Sequence, residues 1–195
     1  GSLWMCGRND YGQVGDSTTL VRISPVKVLD NVTQAAAGWC ASYAVTTDGK
    51  LWAWGCNDNY QLGDGTTDMH LNPVVVMDDV KAVYTSSTES VWTAAVKTDG
   101  TLWVWGEAYH EPIQVADNVT CAAVGRRHLA AVKTDGTLWT MGGNTEGQLG
   151  SNTFSDGAEM TEVLALADSV VCGPNTTYAL RHNGSVWAWG SNEEH

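Results

Sequence analysis

The segment Tyr43-Ala44-Val45-Thr46-Thr47-Asp48-Gly49-Lys50-Leu51-Trp52-Ala53-Trp54-Gly55 reads as two short strands around an Asp-Gly turn. Asp-Gly between alternating residues is a strong hairpin signal, because the tightest two-residue turn needs positive φ at both central positions. In the second strand Trp52 and Trp54 share one side while Leu51, Ala53 and Gly55 share the other. Neither side is polar, so both faces of this hairpin are expected to pack between layers. The hairpin recurs at Ala94 to Gly100, Ala130 to Gly136 and Tyr178 to Gly184, each followed by its own tryptophan stretch. With Leu3-Trp4-Met5-Cys6-Gly7 the stretches end at Gly7, Gly55, Gly106, Gly142 and Gly190, spaced 48, 51, 36 and 48 residues apart. Intervals of that size mark stacked small sheets, one per repeat, as in the blades of a propeller.

The rest of each repeat supplies two more strands. Val32 to Ala37, Val80 to Tyr84, Val119 to Val124 and Val170 to Cys172 are rich in small residues, which suits the crowded centre of a radial array. Further strands are expected to begin just after Pro25, Pro73 and Pro112, where proline removes no ladder hydrogen bond. Polar glycine loops follow the tryptophan stretches at 8–16, 57–65 and 143–150. The third unit lacks this loop and runs from Gly106 through Glu107 and His110 to Pro112, which accounts for its short interval and predicts a notch on one rim. Residues 157–167 read as one or two helical turns. The domain reading is one propeller segment over 1–195, with repeats 3–50, 51–101, 102–137 and 138–185 and a final strand 186–192.

Composition points the same way. The chain holds 21 glycines and 10 tryptophans against one phenylalanine, as expected when one aromatic position is copied. A net charge of -12 makes nucleic acid an unsuitable partner, and no apolar run is long enough for membrane insertion as a helix. Cys6, Cys40, Cys56, Cys121 and Cys172 are odd in number, contain no CxxC pair and fall at different repeat positions. They are read as scattered small side chains, or as one opportunistic disulfide, and not as a metal framework.

The pattern Asp-Gly-x-Leu-Trp-x-Trp-Gly, followed by Asn-x-x-Gly-Gln-Leu-Gly-x-Gly-Thr, stands in full at Asp48 to Thr66 and largely again at Asp135 to Gly150. It closely resembles the repeat of the regulator of chromosome condensation family, and the resemblance covers nearly all of residues 1–192. The bacterial members, including the secreted propeller-type β-lactamase inhibitor proteins, are the nearest in flavour. The resemblance implies an all-β, seven-bladed propeller whose loop tips grip partner proteins. Four repeats fall short of seven blades, so an arc of a longer ring is expected, with closure by a second copy and a closed four-bladed ring as alternatives. It also implies a bacterial protein, secreted or at the cell surface. Gly125-Arg126-Arg127-His128 resembles the segment that carries a sensor tryptophan in the family's plant photoreceptor, but Arg126 occupies that place, which argues against light sensing.

No catalytic or nucleotide-binding signature is present, and the five histidines are too dispersed to name a metal triad, so no enzyme activity and no cofactor are expected. Asp64 and its neighbours read as turn residues. Protein binding is better supported. Trp39 and Trp92 lie outside the tryptophan stretches, where an inner strand turns into the hairpin, and Arg126-Arg127 is the adjacent basic pair at the matching place. Aromatics beside guanidinium groups make interface anchors. The expected partner-binding set is Trp39, Glu89, Trp92, Arg126, Arg127 and His128, with framework packing of Trp39, Trp92 and His128 as the competing reading. A glycan-binding or motif-poor enzyme domain, and a self-assembly element using blade faces, are the alternative functions.

Overall fold

The computed structural model describes residues 1–86 and 92–192. Its first sheet pairs β1 (Leu3–Gly7) with β2 (Arg22–Leu29). Three four-stranded antiparallel sheets follow. They are β3 (Val32–Ala37), β4 (Ala41–Thr46), β5 (Leu51–Gly55) and β6 (His70–Met77); β7 (Val80–Thr85), β8 (Trp92–Lys97), β9 (Leu102–Gly106) and β10 (Tyr109–Ala116); and β11 (Val119–Val124), β12 (His128–Lys133), β13 (Leu138–Gly142) and β14 (Gly157–Leu164). A three-stranded sheet of β15 (Ala167–Cys172), β16 (Thr176–Arg181) and β17 (Val186–Gly190) completes the described chain. Strand order within each sheet is the order in sequence, so every blade is a meander. In each four-stranded sheet the tryptophan strand therefore lies between the hairpin strand before it and an outer strand after it, which contains a proline in β6 and β10.

β3, β7, β11 and β15 are the inner edges and neighbour one another around the centre. Gln34 ties the first two together: its amide donates to Val83 O at 2.9 Å and its carbonyl accepts from Val83 N at 2.8 Å. The core consists of slabs between consecutive sheets. In one, Tyr43, Leu51 and Leu62 meet Val80, Val83 and Trp105; in the next, Trp92, Leu102 and Val104 meet Val119, Leu129 and Met141; in a third, Ala130 and Leu138 meet Val170 and Ala179. Full burial of one large apolar side chain contributes about 1.5–3 kcal/mol, so each blade depends on its neighbour for most of its stability.

The blades are also latched by hydrogen bonds that explain the loop motif. Gln13 O accepts from Trp54 Nε1 at 2.9 Å and Ser42 Oγ at 2.8 Å. Gln61 O accepts from Trp105 Nε1 at 2.8 Å and Thr93 Oγ1 at 3.1 Å, and Gln148 O from Trp189 Nε1 at 2.9 Å and Thr177 Oγ1 at 2.7 Å. Each loop thus fastens to the tryptophan of the following blade. The loop glycine Gly63 lies so near that indole that a Cβ would stand 2.7 Å from Trp105 Nε1, and its φ of +78° also favours glycine. The unit without a loop offers no such carbonyl. There the following blade carries Met141 and Leu129 where the others carry a tryptophan and a Ser or Thr, so no buried donor is stranded.

The tryptophan strands end in glycine for a similar reason. Gly55 has φ +102°, and a Cβ there would lie 2.4 Å from Cys40 O across the hairpin.

Three sequence expectations are amended. The proline strands do not start after their prolines: β2, β6 and β10 begin before Pro25, Pro73 and Pro112. They form the outer edge, and their pairing with the tryptophan strand shifts register around the proline, so its missing N–H costs no bond. Residues 157–164 form β14 and not helical turns, because pairing with the tryptophan strand overrides local preference. The alternative of a closed four-bladed ring is not realised; the fold is an all-β propeller arc. At one end Trp4 is 57% and Ile23 96% exposed. At the other, Tyr178 is 44% exposed, whereas Tyr43, at the same repeat position inside the arc, is 1% exposed.

Candidate protein-binding site

The hairpin geometry of each blade creates a variable position on one rim. Beyond the last ladder pairs, Ala41 with Gly55, His128 with Gly142 and Thr176 with Gly190, the strands approach once more. Cys56 N donates to Cys40 O at 2.9 Å, Gly143 N to Arg127 O at 2.7 Å and Ser191 N to Asn175 O at 2.9 Å. Cys40, Cys56, Arg127 and Asn175 of these pairs line a concavity of about 710 Å³ that Tyr11, Trp39, Glu107 and Arg126 also border. The loop after the first tryptophan strand and the inner connections of successive blades therefore reach one surface.

Trp39 sits in a turn closed by Gly38 N donating to Ala41 O at 2.8 Å, and its side chain stands 56% exposed. Arg126 N donates to Pro174 O at 2.9 Å, which ties this connection to that of the next blade. Arg127 Nη2 lies 3.4 Å from Glu107 Oε2. Both groups are solvated, so the pair contributes roughly 0–1 kcal/mol to the fold and leaves the guanidinium available to a competing carboxylate.

The other expected residues fall elsewhere. Trp92 is enclosed between blades, tilted against Tyr109 at 6.0 Å between ring centroids. His128 is fully buried, with Nε2 3.0 Å from Thr177 Oγ1. Thr177 already donates to Gln148 O, so it accepts from His128, and His128 Nδ1 is left a bare acceptor with no partner. Burial lowers the His128 pKa to about 4, a hydrogen bond with the Thr176 backbone opposing this weakly. His128 thus supports the surface from beneath as a neutral ring. Glu89 lies outside the described residues.

Tyr11 borders the concavity, and Tyr60, at the matching loop position, stacks on His110 at 4.0 Å and 12°. The loop carboxylates are held in turn geometry. Asp64 accepts from Asn57 Nδ2, from Thr66 and, at 2.6 Å, pairs with His70 Nε2. Among the described residues no three His, Cys, Asp or Glu side chains converge on a metal-sized site.

The regulator of chromosome condensation (RCC1) repeat matches at residues 1–45 and 48–88, and a second form of that repeat at 32–61, 119–148 and 167–195. The chain belongs to the RCC1 repeat family. The mitochondrial RCC1 domain-containing protein RUG3 of Arabidopsis thaliana is 26% identical over 129 residues, covering 56% of this chain and 29% of the plant protein. Human WBSCR16 superimposes with a TM-score of 0.81 at 22% identity, over 97% of this chain and 57% of the human one. Yeast RCC1 (Prp20), solved bound to Kap60, gives 0.81 at 20% identity, over 97% of this chain and 52% of its own. The chain therefore spans little more than half the length of these structures, and less than a third of the plant relative.

These relatives correct the expected setting. A bacterial, secreted or cell-surface protein was the expectation, on likeness to the β-lactamase inhibitor members. The similar proteins are instead a mitochondrial plant protein and human and yeast propellers. The misreading came from the shared tryptophan framework, which recurs across the family and does not record a compartment.

Proposed function

We propose that this chain is a non-catalytic protein-binding propeller segment whose concavity receives a surface loop of a partner. The observation that carries this reading is the convergence of an exposed indole, Trp39, with Arg126 and Arg127 around one depression, while Trp54 and Trp105 are fully buried between blades. An aromatic anchor beside a bidentate carboxylate binder is the composition of an interface hot spot. Trp92 and His128 act in this reading as the buried support of that rim.

A Prp20p structure from Saccharomyces cerevisiae, similar with a TM-score of 0.80 at 17% identity, was studied for binding to Gsp1p and histones. Gsp1p, histones and Kap60 are accordingly the first partners to test. Binding to each is measured by titration calorimetry with the unaltered chain, Trp39→Ala and Arg127→Ala. At least one partner is expected to bind, with each substitution weakening it about tenfold or more, equivalent to about 1.4 kcal/mol. Saturable binding to glycans, lost in Trp39→Ala, with no protein bound, would replace this reading with a lectin one.

A second reading, self-assembly, is favoured by the apolar surface at the arc's ends. Val186 is 68% exposed where Leu51, Leu102 and Leu138 at the same repeat position are 0% exposed.

A further inference from the structure

Cys40 and Cys56 are 16 residues apart in sequence and lie directly opposite each other in the structure. Cys40 precedes Ala41, Cys56 follows Gly55, and those two are the last ladder partners of β4 and β5. The bond from Cys56 N to Cys40 O extends the ladder by one pair. Opposed residues of a hydrogen-bonded antiparallel pair have Cα atoms about 5.5 Å apart, within the roughly 4.4–6.8 Å that a disulfide spans. Side chains of opposed residues emerge on the same side of the sheet, and both cysteines line the same concavity. Cys40 is partly exposed at the wall of the concavity and Cys56 lies behind it, buried. No other cysteine shares this arrangement: Cys6 is exposed on β1, and Cys172 Sγ points to Ala123 O at 3.6 Å.

We propose that Cys40 and Cys56 form a dithiol site that a small hydroperoxide oxidises to a reversible cross-strand disulfide. The Cys40 thiolate attacks one peroxide oxygen, the O–O bond breaks, and the departing hydroxide takes a proton to become water. The Cys40 sulfur, now a sulfenic acid, has given up two electrons. Cys56 sulfur then attacks Cys40 sulfur, the S–O bond breaks, and the hydroxyl leaves as water with the Cys56 proton. A small, uncharged oxidant suits a wall where Asp58 stands 3.6 Å from Cys56 Sγ and would repel an anionic disulfide. Burial, with the contact to Cys56, pushes the Cys40 thiol up to about 12, so oxidation is slow at neutral pH and accelerates as pH rises. The pairing joins residues that already face each other at the end of the hairpin.

The test treats the folded chain with hydrogen peroxide at pH 7.5 and 9, blocks remaining thiols by alkylation and maps the peptides by mass spectrometry. Expected is one Cys40–Cys56 disulfide, formed faster at pH 9, reopened by a dithiol reductant, with Cys121 and Cys172 still alkylated. In Cys56→Ser, Cys40 should stop at sulfenic acid, captured by a 1,3-diketone probe. Recovery of both cysteines alkylated, or pairing of either with a different cysteine, overturns the proposal. Because the readout is chemical and needs no partner, it stands or falls separately from the binding reading; Cys40→Ser, checked by circular dichroism, guards against loss of the fold.

Discussion

His128 is a buried imidazole whose Nε2 bonds Thr177 Oγ1 at 3.0 Å. Protonation would place a charge in the packing between blades, and this desolvation lowers its pKa from 6.5 to about 4 against the opposing effect of the Thr176 backbone bond. A folded pKa below the unfolded one means that the unfolded chain takes up the proton first as pH drops. The resulting stability is complete above about pH 6.5 and is lost as pH falls from there toward 4. Between pH 7 and 5 the loss should be about 2 kcal/mol in urea unfolding. His128→Gln should flatten that slope; an unchanged slope would show that another group carries it. The same residue illustrates the limit of sequence reading: the motif places His128 beside Arg126 and Arg127, but only the packed neighbour blade reveals that it points inward.

At the scale of the element, the loop and the tryptophan strand form one device split across two blades. Trp105 is wholly buried and donates to Gln61 O, while Trp103, two residues earlier on the same strand, is partly exposed, bonds Thr101 Oγ1 at 2.9 Å and has Lys97 Nζ over its ring at 5.1 Å. Trp105→Phe should cost about 2 kcal/mol in chemical denaturation, from a lost hydrogen bond and a small cavity. Trp103→Phe should cost under about 1 kcal/mol, since solvent and the lysine stem cover the change. Equal losses would refute the latch. The hairpins and the inner strands were legible, because alternation and Asp-Gly turns act locally; the contrast between Trp103 and Trp105 was not, since residues two apart share a face and only the loop of the preceding blade separates their environments. The proline strands and β14 were misplaced because their pairing partners, not their own propensities, set their ends.

For the whole molecule, the arc repeats one interface between blades and leaves its two ends unlike its interior. Val186→Lys should change stability by less than about 0.5 kcal/mol, because the side chain is already in solvent. Leu51→Lys, at the matching interior position, should unfold the chain, since it would bury an unpaired ammonium between blades. If the ends also associate, light scattering should show a concentration-dependent mass for the unaltered chain that Val186→Lys reduces; a constant monomer mass would remove the self-assembly reading. The rim that binds partners in our proposal is likewise a property of the array. Tyr11, Trp39, Glu107 and Arg127 come from different blades, and curvature brings them around one concavity.

The amino-acid sequence alone determined the repeat, its hairpins, the missing loop of the third unit and the family, since each is written in local alternation, turn chemistry and copied motifs. Tertiary structure alone decided that Trp92 is enclosed between blades while Trp39 stands exposed, that His128 is buried and neutral, and that Cys40 faces Cys56. Those outcomes depend on which surface a neighbouring sheet covers, a long-range fact that the period of a single strand does not encode.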